Sequence, residues 1–260
     1  MTIDEIRMVE KEMVRILSIF MDEFVEYVPV EKRRYFEELM KLKRTNQLIG
    51  FDNGMGAWCK DDKIYFAVRN NKMFKSLARN PNYGKYKGVA LVSESDFINN
   101  DKDYIDYIEY FIGNGLKEID YCLDVLPHEV MHLIGSGSGI LGEGITELRA
   151  RQVCKKYGIR CAPILHSKET KLAIKLEKHV GEIALNEASF FGDFTILEER
   201  LGKIFGEEAF QEVYDDLRIG YRQYVSDRSI NLLEHYKKYR DIDFNRIYAL
   251  VDAKDKLEIE

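Results

Sequence analysis

The sequence predicts an α+β chain that is predominantly helical, and three observations predict it. Apolar residues recur at helical spacing through the first 50 residues and again from Gly158 to the end. Only two short runs, 63–68 and 88–92, are rich in strand-forming residues. Between these textures lies Leu126 to Ile134, an apolar stretch in which the ionisable residues fall at helical rather than alternating spacing.

The elements follow in order. Ile6, Val9, Met13, Leu17, Phe20 and Phe24 form the apolar stripe of an amphipathic helix from Thr2 to Val28, which Pro29 ends. A second helix runs through Tyr35, Phe36, Leu39, Met40 and Leu42, so that residues 1–50 are expected to form a helical hairpin. The turn-rich run Phe51-Asp52-Asn53-Gly54-Met55-Gly56 precedes a strand over Lys63 to Val68, and Gly88 to Val92 forms another. From Ile105 to Leu126 the pattern is helical with a break at Gly113-Asn114-Gly115. Asp124 is expected to cap the next helix, with Pro127 in its first turn, where a missing N–H does no harm. A further helix covers Glu143 to Tyr157 and stops at Gly158. Helical periodicity then reads over Lys168–Ser189, Phe194–Leu201, Glu207–Leu217, Asn231–Tyr239 and Phe244–Val251. No repeat or linker interrupts it, so the chain reads as one unit with regions 1–50, 51–160 and 161–260.

Composition narrows the function classes. With 260 residues, 45% of them apolar, the chain can bury one large core. A net charge of −6 argues against a nucleic-acid surface, which needs a basic stripe. Charges every few residues from Asp4 to Glu26 leave no uncharged signal-peptide core and no membrane span, so a cytoplasmic location is expected. Cys59, Cys122, Cys154 and Cys161 form no CxxC pair and are expected to be free thiols.

The chemistry concentrates in His128-Glu129-Val130-Met131-His132 and, after a glycine-rich loop, Gly142-Glu143-Gly144-Ile145-Thr146-Glu147. Residues four apart stack on one helix face, so His128 and His132 offer two imidazoles to one cation, with Glu129 about 100° around the axis. Zinc that does chemistry takes three protein donors and keeps one open position. Glu143 supplies the third donor from the first turn of the next helix, where the dipole also favours a carboxylate. Glu147, one turn on, is placed to accept the outer N–H of a ligating histidine, and the two carboxylates could exchange roles.

This pattern, His-Glu-x-x-His with a downstream Glu-x-x-x-Glu, resembles the gluzincin branch of zincin-like zinc metallopeptidases. The resemblance covers roughly Leu126 to Ala150. It implies a zincin-like core over 51–160 containing a small sheet, with His128, His132 and Glu143 as zinc ligands, Glu129 as general base and Glu147 as the residue orienting a histidine. It also implies a strand along the cleft that pairs with an extended substrate. One departure stands out: only ten residues separate His132 from Glu143. The metzincin alternative, matched by Gly135, is discarded because its third histidine would fall at Ser138, a poor zinc ligand. A rival third ligand is Glu187, because Asn186-Glu187-Ala188-Ser189 resembles a segment of thermolysin-like enzymes, but the position four later is Phe191 rather than a carboxylate.

The expected function is therefore a zinc-dependent hydrolase acting on a peptide or protein substrate, with a non-catalytic zinc-binding or interaction protein as the alternative. A structural zinc would call for a fourth protein ligand, and none accompanies the triad in sequence.

Overall fold

The computed structural model describes residues 1–51, 57–66, 118–135, 139–161, 167–206 and 244–257. The strand read at 88–92, the break at Gly113-Asn114-Gly115 and the helices read over 207–217 and 231–239 lie outside the described residues. Those described form eight helices and a three-stranded sheet, an α+β chain that is mostly helical. None of their helices is long and apolar enough to cross a membrane.

Helix α1 (Ile3–Glu23) opens on a reciprocal cap. The Thr2 hydroxyl accepts from the Glu5 N–H at 3.2 Å, and the Glu5 carboxylate accepts from the Thr2 N–H at 2.6 Å. Thr2→Ala is expected to lower unfolding free energy by about 1 kcal/mol, seen as a lower urea midpoint at unchanged slope. Val9, Met13, Ile16, Leu17 and Phe20 form the fully buried face of α1, which packs along α3 (Glu118–Ile134). The helix ends at Glu23, ahead of the Val28 that its periodicity suggests, because Tyr27 and Val28 both turn their N–H groups onto the Phe24 carbonyl. Pro29, with extended ψ, then leads into α2 (Val30–Lys41).

The sheet has the order β1-β3-β2, with β1 (Ile49–Phe51) parallel and β2 (Ala57–Lys60) antiparallel to β3 (Lys63–Phe66). A two-residue turn, Asp61-Asp62, joins β2 to β3 with both residues at positive φ, 50° and 54°. That left-handed pair matches the right-handed twist of a tight hairpin, and Asp tolerates it better than most side chains. Ile64 and Phe66 are buried, alternating with half-buried Lys63 and Tyr65. Trp58 and Tyr65, directly opposite across the ladder, stack with ring centroids 5.5 Å apart. Both β2 and β3 pack against α3.

Downstream come α4 (Gly139–Tyr157), α5 (Ser167–Val180), α6 (Glu182–Phe191), α7 (Thr195–Phe205) and α8 (Phe244–Leu257). Helix α4 stops where expected: Gly158 follows it, and the Ile159 N–H closes onto the Cys154 carbonyl at 2.9 Å. The single helix read over 168–189 is in fact two. Gly181 adopts φ 79° and ψ 161°, a conformation open to glycine alone without strain, and so breaks the helical ladder while the apolar periodicity continues on either side.

Two compact units result, one of residues 1–135 and 149–167, the other of residues 136–148 and 168–260. The first is built on α1, the sheet and α3. In the second, Leu141 and Ile145 of α4, Leu172 and Leu176 of α5, Leu185 of α6, Leu197 of α7 and Tyr248 of α8 share one apolar core.

Candidate metal centre

Helix α3 is buried along most of its length, which is why its polar residues need partners. Asp124 does not cap it, contrary to the sequence expectation, because the chain is already helical from Glu118. The Asp124 carboxylate instead accepts from Arg160: Nε reaches Oδ1, and Nη2 reaches Oδ2 at 3.0 Å. Nη1 of the same guanidinium reaches Asp120 Oδ1 at 3.1 Å. Pro127 consequently lies inside the helix, so the Leu123 carbonyl receives no N–H from the residue four ahead of it. This interruption falls immediately before His128.

His128 and His132 sit one turn apart, as their spacing requires, with ring centroids 4.7 Å apart and planes at 76°. Their Nε2 atoms face each other at 3.0 Å. Two nitrogens each about 2.0–2.1 Å from a tetrahedral zinc stand roughly 3.3 Å apart, so the observed pair is close to ligating separation. A carboxylate oxygen of Glu143 joins them: the three donor atoms all lie within 4.8 Å of one another. Among the described residues, no fourth His, Cys, Asp or Glu belongs to this group. Two imidazole nitrogens and one carboxylate oxygen are a donor set that fits zinc.

Glu143 is not in the first turn of its helix. α4 begins at Gly139, earlier than the sequence suggests, and carries no acidic residue in its first turn. Glu143 therefore lies one turn inside α4, where the helix dipole favours a carboxylate less than in the first turn. Glu187, the rival third ligand, is on α6 and outside the group. Its Oε2 is buried without a hydrogen-bond partner. Glu147, one turn beyond Glu143, is only 3% exposed. Glu129 is buried to the same degree, at 5% exposed, and His128 at 4%.

Three features of the surroundings carry no motif in the sequence. Lys32 of α2 donates to the Gly135 carbonyl at 3.3 Å and pairs with Asp62 at 3.8 Å, holding the end of α3 to α2 and to the hairpin turn. A cation at a helix C-terminus also meets the negative end of the dipole. Burial pulls the Lys32 ammonium below the ordinary lysine range. Cys59 of β2 is the second: burial and the nearby Glu129 carboxylate push its thiol up to about 12, which keeps it a neutral, unreactive group. β2 packs against α3, the helix that carries Glu129. The third is Arg149 on α4, wholly buried, with Nη1 donating to Gln152 at 2.8 Å. The contacts of Lys32 and Cys59 are long-range, and residue spacing does not encode them.

No disulfide joins any of the four cysteines, and Cys122 and Cys154 are buried. A comparison with family models, curated proteins and solved structures finds no match to this chain.

Proposed function

We propose that this chain is a zinc-dependent hydrolase, most specifically a peptidase, whose metal is held by His128, His132 and Glu143. The observation that carries the reading is the convergence of these three donors within 4.8 Å, with Glu129 buried next to His128 in sequence. When bound, zinc supplies Lewis acidity for a carbonyl oxygen and for water. Glu129 accepts the proton of the attacking water on its carboxylate and later delivers it to the leaving amine. Glu147 orients one of the histidines. Three donors and no fourth among the described residues favour a site open to substrate over a closed structural one.

Metal analysis of protein purified without added zinc, combined with a peptide-library cleavage screen, tests this. About one zinc per chain and cleavage abolished by chelation and restored by zinc are expected. Stoichiometric zinc with a fourth protein ligand and no cleavage would establish the non-catalytic zinc protein instead, and absence of zinc binding would reject both.

A further inference from the structure

The residue after the third donor is Gly144, and there α4 meets the first turn of α5 backbone to backbone. A Cβ placed on Gly144 would fall 2.2 Å from the Glu169 carbonyl oxygen and 2.5 Å from its carbon. Neither atom belongs to a side chain that could swing aside. Glycine inside a helix is unfavourable by about 1 kcal/mol against alanine, so its placement here calls for a reason, and close approach is one.

The surface against which Gly144 rests is itself held. Glu169 and Thr170 of α5 are buried. From α8, the Tyr248 hydroxyl donates to the Lys168 carbonyl at 2.7 Å, while the Lys171 ammonium lies 4.9 Å from the Tyr248 ring centroid. Ile145, Leu172 and Tyr248 belong to one apolar core, so moving α5 away from α4 would open that core. A helix moves as a rigid rod over one residue, and any displacement of Gly144 carries Glu143 with it. Metal–ligand distances tolerate only about 0.2 Å.

We propose that Gly144 is a positioning residue: by seating α4 against the Glu169 carbonyl it fixes the backbone that presents the Glu143 carboxylate as a donor. This rests on the zinc reading above, and the test separates the two. Zinc affinity is measured by chelator competition for the wild type, Gly144→Ala, Glu143→Ala and the double variant, each first shown to be folded by circular dichroism. Gly144→Ala is expected to lose at least about 10-fold in affinity, and the double variant no more than Glu143→Ala alone, because both remove the same donor. Cobalt-substituted Gly144→Ala is expected to give the absorption spectrum of Glu143→Ala rather than that of the wild type. A wild type that binds no zinc rejects the metal centre, and this inference with it. A wild type that binds zinc beside a Gly144→Ala variant of equal affinity, or losses that multiply in the double variant, overturns the positioning role and leaves the metal centre standing. Should Gly144→Ala fail to fold, Tyr248→Phe decides, since it removes only the hydroxyl holding the Lys168 carbonyl. A loss of a few-fold that disappears in the Glu143→Ala background supports the seat, and an unchanged affinity overturns it.

Discussion

Replacing Glu129 with Gln is expected to leave zinc bound and to lower peptide hydrolysis by about 10²- to 10⁴-fold, the usual contribution of a positioned general base. Gln matches Glu in shape, so packing at this buried position on α3 should survive. What it cannot do is take a proton from water. Glu129 lies outside the three-donor group, so zinc stoichiometry should remain that of the wild type. Single-turnover rates beside metal content separate the two roles. A variant that keeps full activity removes Glu129 from the chemistry, and one that loses its zinc makes Glu129 part of the metal's support. Burial sharpens the effect: Cys59, the titratable neighbour coupled to Glu129, is a neutral thiol and cannot substitute as base near neutral pH.

What was legible in the sequence follows the range of the interactions that create it. Helix α1 was readable because its stripe is local: Val9, Met13, Leu17 and Phe20 repeat on one face. The His128–His132 pair was readable for the same reason, since one rigid helix carries both donors. β1 and β2 were not. At three and four residues they hold too little periodicity, and their identity comes from pairing with β3 across the chain. The break at Gly181 was hidden because Val180 and Ala184 are both buried and preserve the helical stripe across it. Asp124 was misread as a cap because the sequence does not disclose Arg160, which takes its carboxylate. Gly144 stands between these cases. Its neighbour Glu143 was singled out by spacing, but the carbonyl that a side chain at Gly144 would overlap comes from Glu169, a contact without any spacing rule.

For the third donor the sequence offered two candidates, and of these Glu143 belongs to the group with His128 and His132 that could hold a metal. Glu143→Ala is expected to weaken zinc binding by about 100-fold. Structural zinc sites with four ligands bind with roughly 10–16 kcal/mol, so each donor contributes about 3 kcal/mol, or two orders of magnitude in affinity. Glu187→Ala is expected to leave zinc affinity unchanged, because its carboxylate lies outside the group. Its effect should fall on folding instead. Oε2 of Glu187 is buried without a hydrogen bond, so removing it relieves a desolvation penalty and should hold or raise the urea midpoint. Glu147→Ala falls between them, since loss of an orienting partner typically weakens a metal by 10- to 100-fold. Chelator competition on the three variants ranks them directly. The order Glu143, Glu147, Glu187, from largest loss to none, is what a carboxylate of α4 completing the imidazole pair requires. If Glu187→Ala instead shows the largest loss, the ligand lies on α6 and the convergence at Glu143 is not the metal's site.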